Sequence, residues 1–293
     1  MKMATSRIHK GFGFKFKCFL AKARKINIQR EITFYISKVI SIVAIHTPYR
    51  LDNLLPFFQP IVCSADHRVV GLEILARVRD KKHMSAHFPS YLINENTSLD
   101  IYTKIMNKLL KKTLLLISTE RLDTLRGCYI NVNISPLQIK HKDTYRILEF
   151  YAEEFYNNGY KLNVEITEDH KCTDYEDLNE FISSLLSVGV DVYLDDYGKG
   201  YSSPLLFKNI ILSGIKIDRG FICDLETSEI SKKFIQHTVE LAREKGMKVI
   251  VEGVETRGQH RVASELGVDY MQGFFYGKPA PLHVINEHYS RRL

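Results

Sequence analysis

From Leu55 onward, short runs of β-branched and aromatic residues alternate with stretches whose apolar positions recur every three or four residues. The first kind predicts strands at 56–63 (PFFQPIVC), 69–78, 128–135, 161–168, 190–198, 214–218, 248–255 and 270–277. The second predicts helices over 99–117, 173–189 and 228–246. Thr173-Asp174 and Ser228 stand where helix N-caps belong, and Gly189 and Gly246 where helices stop. Strands alternating with helices give a mostly parallel sheet. Eight such strands within about 243 residues favour a closed α/β barrel of the TIM-like (β/α)8 kind over an open doubly wound sheet. No G-x-G-x-x-G follows the first strand and no G-x-x-x-x-G-K-[ST] occurs, so dinucleotide and P-loop chemistry lack their main support.

Composition fits a folded chain of 293 residues, 45% hydrophobic and 26% charged, without tryptophan; this excludes disordered, collagen-like and disulfide-stapled classes. The formal charge of +7 is unevenly spread. Residues 1–50 hold seven Lys and four Arg against Glu31 alone, a net +10, which leaves −3 for residues 51–293. The basic pI therefore belongs to the N-terminal extension, and no specific nucleic-acid partner is expected of the body. Within the extension, the apolar run 32–45 is interrupted by Lys38 and is shorter than the roughly 20 residues a membrane span needs. It also lacks the layout of a signal peptide. Three readings stand open for the extension: a helix packed on the body, an arm meeting a membrane surface or an anionic partner, or an over-extended start. Five scattered cysteines (Cys18, Cys63, Cys128, Cys172, Cys223) without a C-x-x-C pair read as reduced thiols in a cytoplasmic protein.

Polar residues collect at the C-terminal ends of the strands: Glu73, Asn133, Glu165 with Glu168, Asp195 with Asp196, Lys216 with Asp218, Glu252 with Glu255, and Gln272. Active sites of barrels are assembled on that rim. Singly, each residue has a plain alternative as a helix cap or a solvated loop residue. Together, four or five carboxylates on one rim repel one another unless cations neutralise them. Donors that are all oxygen or amide, with neither His nor Cys, suit Mg²⁺ or Mn²⁺ and not zinc. The adjacent pair Asp195-Asp196 suits two ions, one carboxylate bridging them, which is the arrangement used for in-line attack on a phosphodiester. Lys216 beside such ions would hold or deprotonate water, or offset phosphate charge.

The elements FFQPIV, GLEILAR, NVNISP, VEITE, LDDYGKGYSS, IKIDRGFI, VEGVET and QGFFYGKP, in that order from about Leu55 to Leu282, resemble the EAL-domain cyclic di-GMP phosphodiesterases. The resemblance implies a barrel with one strand running against the others and metal-dependent hydrolysis of cyclic di-GMP to the linear dinucleotide pGpG, in bacterial signalling. It implies Glu73, Asn133, Glu165 and Asp195 as ligands of a first ion and Asp195, Asp196 and Glu252 as ligands of a second. Lys216, with Glu73, Asp195 and Glu252, is the implied catalytic set; Gln59, Arg77, Asp218 and Gln272 are the implied substrate contacts; Glu168 and Glu255 brace the loop 196–203. It also implies a dimer through the barrel rim.

Two positions depart from the family pattern. The signature triplet reads Glu73-Ile74-Leu75, with Ile74 where alanine is usual; strand alternation places Ile74 on the face opposite Glu73, towards the outer helices. In the loop DDYGKGYSS, Lys199 replaces a threonine, adding a positive charge near the ions and removing a hydroxyl. The complete ligand set argues for an active enzyme. The competing readings are a catalytically weak cyclic di-GMP sensor or adaptor, resting on Lys199, and a nucleic-acid regulator acting through residues 1–50.

Overall fold

The computed structural model describes residues 51–79, 86–90, 92–94, 97–120, 122–166, 175–199 and 208–291. The expectations for residues 1–50, the helix start at Thr173-Asp174, Glu168, Cys18 and Cys172 lie outside the described residues.

Nine strands form one sheet: β1 (Leu54–Cys63), β2 (Val69–Arg79), β3 (Ala86–His87), β4 (Tyr129–Ile134), β5 (Lys161–Ile166), β6 (Asp191–Tyr197), β7 (Gly214–Ile217), β8 (Lys248–Val251) and β9 (Tyr270–Gln272). Their order is β1-β9-β8-β7-β6-β5-β4-β2-β3, and β1 also pairs with β2, so eight strands close a barrel while β3 hangs on the edge of β2. β1 is antiparallel to both of its barrel neighbours, β2 and β9; the other barrel pairings are parallel. The expected single reversed strand is thus β1, made possible by the short 64–68 connection to β2.

Six helices are described: α1 (Leu99–Thr119), α2 (Thr144–Asn157), α3 (Tyr175–Ser187), α4 (Glu229–Glu244), α5 (Arg257–Glu265) and α6 (Leu282–Ser290). The hydroxyl of Ser228 caps α4 by accepting from the Ser231 amide at 3.2 Å. Two predicted strands overran: β8 ends at Val251 and β9 at Gln272, and neither reaches 255 or 277. Among the described residues Cys63, Cys128 and Cys223 are free thiols, and no helix is long and apolar enough to cross a membrane.

The main core lies between barrel and helices, with Leu72, Ile74, Ile130, Val132, Val164, Val192 and Ile215 pointing outward from the strands. A smaller cluster of Ile61, Tyr193 and Ile250, with Val70 and Tyr270 against it, plugs the barrel interior. Because side chains alternate along a strand, the residue two positions from a plug residue, before it on the reversed β1 and after it on the other strands, returns to the interior one layer higher. Gln59, Asp195, Glu252 and Gln272 stand in that relation to Ile61, Tyr193, Ile250 and Tyr270. Gly214 on β7 makes the plug fit, since a Cβ there would stand 2.4 Å from the Tyr193 ring and 2.6 Å from the Lys248 carbonyl.

Candidate active site

The upper interior layer converges on one cation. Lys216 Nζ, fully buried, lies 2.6 Å from Glu252 Oε1, 2.9 Å from Glu165 Oε2, 3.3 Å from Asp195 Oδ1 and 3.4 Å from Glu73 Oε2. Amides hold the carboxylates in place: Asn133 Nδ2 donates to Glu73 at 2.6 Å, Asn131 Nδ2 to Glu165 at 2.7 Å, and Gln272 Nε2 to Glu73 at 2.6 Å and to Gln59 Oε1 at 3.2 Å. Asp195 accepts from the backbone amide of Asp196 at 2.9 Å. Asp196 itself sits in the left-handed region at φ 58°, which turns the chain sharply after β6.

Four carboxylates around one ammonium leave an excess of negative charge. Burial pushes the carboxyls of Glu165 and Asp195 up; Lys216 opposes this, and the neighbouring carboxylates add to it. Burial likewise pushes Glu252 up to about 8 against the pull of Lys216. For Lys216, burial works against the charged form, but Asp195, Glu165, Glu252 and Glu73 outweigh it and hold the ammonium well above the usual lysine range.

A cavity of about 250 Å³ opens above this layer, lined by Gln59, Glu73, Asp195, Glu252 and Gln272 and, at its mouth, by Glu255, Arg219 and Phe274. A second cavity of about 310 Å³, lined by Arg77, Asn133 and the apolar Phe88, Tyr102 and Met106, shares Leu75 and Asp195 with the first. Arg77 is half-buried, and desolvation holds its guanidinium below the usual arginine range although Glu73 pulls the other way.

The residues fit divalent cations. Asp195, Asp196 and Glu252 can each turn a ligand atom to within 4.8 Å of the others. The buried oxygens Asn133 Oδ1 and Gln272 Oε1 have no hydrogen-bond partner among the described residues, although buried acceptors are normally paired. The donor set is all oxygen, the preference of hard ions.

The structure therefore brings together Glu73, Asn133, Glu165, Asp195, Asp196, Lys216, Glu252, Gln272 and Gln59, with Arg77 in the adjoining cavity and Glu255 at the rim. Asp218 is not among the cavity-lining residues; its side chain caps the turn 219–221 by accepting from the Gly220 amide at 2.8 Å.

The EAL domain family model matches residues 44–279. The chain belongs to the EAL domain family. Its barrel is similar to the c-di-GMP complex of the PaMucR phosphodiesterase of Pseudomonas aeruginosa, with a TM-score of 0.69 and 26% identity over 84% of this chain and 99% of that one. It is 29% identical over 243 residues to the probable cyclic di-GMP phosphodiesterase PdeN of Escherichia coli, matching 81% of this chain and 46% of that protein. It is also 29% identical over 272 residues to the cyclic di-GMP phosphodiesterase PdeA of Borreliella burgdorferi, matching 90% of this chain and 38% of that protein. The chain thus spans less than half the length of these two curated relatives.

Within this EAL domain, Ile74 is 3% exposed and belongs to the core facing the helices, on the side of β2 away from Glu73, where it also lines the second cavity. Lys199 Nζ pairs with Asp196 Oδ2 at 2.9 Å. Sequence reasoning missed Asn131, Arg219 and Phe274. Asn131 was legible as the residue two before Asn133 on the same face; the other two follow Asp218 and Gln272 in loops whose convergence only the closed barrel reveals.

Proposed function

We propose that this EAL domain hydrolyses one phosphodiester bond of cyclic di-GMP, releasing linear pGpG, and that it requires Mg²⁺ or Mn²⁺, as two ions. The observation that carries this reading is the buried Lys216 ringed by Glu73, Glu165, Asp195 and Glu252 beneath an open cavity. Glu73, Asn133, Glu165 and Asp195 would hold one ion, and Asp195, Asp196 and Glu252 the other. When bound, such ions polarise the phosphoryl oxygens and lower the pKa of a water molecule. Lys216, ringed by these carboxylates, positions them and would hold the attacking water or offset negative charge developing on the phosphate. Arg77 offsets the charge of a substrate phosphate from the second cavity, and Gln59 and Gln272 orient the reacting end. Two cavities meeting at Leu75 and Asp195 suit a substrate with two base ends. We further propose that the EAL unit spans 51–293 and acts in the cytoplasm as a homodimer.

The Lys199–Asp196 pair favours a second reading, a sensor that binds the nucleotide without cleaving it. Chromatography of cyclic di-GMP incubated with the full chain decides between them, with Mg²⁺ or Mn²⁺, with chelator, and with Glu73→Gln. Cation-dependent pGpG, lost with chelator and in the variant, is the expected result. Bound but uncleaved nucleotide would establish the sensor.

A further inference from the structure

In the acidic cluster, every carboxylate already faces an ammonium of the same chain. Lys216 Nζ meets Asp195 at 3.3 Å and Glu252 at 2.6 Å, and Lys199 Nζ meets Asp196 Oδ2 at 2.9 Å. The two lysines differ in exposure. Lys216 is fully buried and held by four carboxylates, whereas the Lys199 side chain is 62% exposed and its contact to the cluster is Asp196. Contacts restrain the backbone leading into Lys199. Its amide donates to the Asp196 carbonyl at 3.2 Å, and Gly198 takes φ 103° where a Cβ would strike the Phe221 ring at 2.4 Å. Phe221 in turn stacks on Phe234 at 3.9 Å, and Phe234 on Tyr197. An ammonium on an anchored stem three residues from its partner has a high effective concentration there.

We propose that Lys199 is a tethered competitor for the cation position at Asp196: an ion entering the Asp195–Asp196–Glu252 cluster must first displace the Lys199 ammonium. This rests on reading that cluster as a divalent-cation site. Lys199 then sets how much free cation the protein needs before the site fills. Because the pair is exposed, the competition is modest. An exposed pair is worth little, and repulsion by a doubly charged ion is screened by solvent, so together they weaken binding about threefold to tenfold.

The test is a titration of the full chain with Mn²⁺, following the free-ion resonance by electron paramagnetic resonance. Wild type is compared with Lys199→Thr, Lys199→Met and Lys248→Met. The last removes the same charge from a surface pair with Asp269, at the far end of β8. Mn²⁺ affinity should rise about threefold to tenfold in both Lys199 variants and stay at the wild-type value in Lys248→Met. Tightening in Lys199→Thr alone would overturn the proposal, since the new hydroxyl and not the lost ammonium would be responsible. Equal affinities throughout would overturn it while leaving the cation site intact. No Mn²⁺ bound by any of the four proteins would overturn the cation reading and this proposal together.

Discussion

Replacing Lys216 by methionine removes the central ammonium and keeps most of the side-chain volume. Four carboxylates within 3.4 Å of that ammonium would then share a buried space with no cation. Breaking a buried ion cluster by removing one partner costs about 3–5 kcal/mol, which for a barrel of this size is a fall in Tm of about 6–20 °C. The loss should depend on pH in one direction. The carboxyls of Glu165, Asp195 and Glu252 are already pushed up, Glu252 to about 8, with Lys216 pulling against the shift; without Lys216 they rise further. An acid whose folded pKa lies above its unfolded value gives stability that is present below the unfolded value and lost as pH rises through the folded one. The deficit of Lys216→Met should therefore be small near pH 5 and grow as pH rises, still increasing through and above pH 8. The assay is urea unfolding of both proteins in chelator at pH 5 and pH 8.5, repeated with Mn²⁺, which should narrow the gap at the higher pH. A deficit of the same size at both pH values, or a variant as stable as wild type at pH 8.5, would refute the electrostatic reasoning.

Ile74→Ala restores the usual signature triplet; because Ile74 is buried against the helices, it should cost about 2–5 kcal/mol in urea unfolding. Gly214→Ala forces a methyl to within 2.4 Å of the Tyr193 ring, and a loss of about 1–3 kcal/mol is expected in thermal unfolding. Arg77→Leu should raise KM for cyclic di-GMP more than it lowers kcat if its guanidinium serves ground-state phosphate binding, which steady-state kinetics will separate.

The barrel was legible because each strand combines a β-branched run, which packs outward, with a polar residue at its C-terminal end. VEI on β5 and IKI on β7 each deliver one inward charge between two outward apolar neighbours. Strand ends were less legible. Val254 after β8 and Phe274, Phe275 and Tyr276 after β9 keep a strand-like character, but Gly253 and Gly273 sit where the backbone leaves the ladder; at Gly273 a Cβ would lie 2.1 Å from the Val254 carbonyl. Strand β3 has only two residues, too few for any alternation to show. In the site, the inward residues followed from alternation, whereas Arg219 and Phe274 depend on which loops the closure brings together. Asp218, an expected substrate contact, also caps the turn that follows β7.

The reversal of β1 has a consequence for the order in which the protein is made. The barrel closes where β1 meets β9, so the first strand to leave the ribosome must wait for nearly the last, with Ile61 facing Gln272. Until then the β1–β2 hairpin can form, but the Gln272 amide that holds Glu73 has not been synthesised and Lys216 has no enclosed pocket. A nascent or C-terminally truncated chain therefore exposes the β1 edge and an open acidic face instead of a partly working site. Function arrives in one step, when β9 slots in beside the strand that began the barrel.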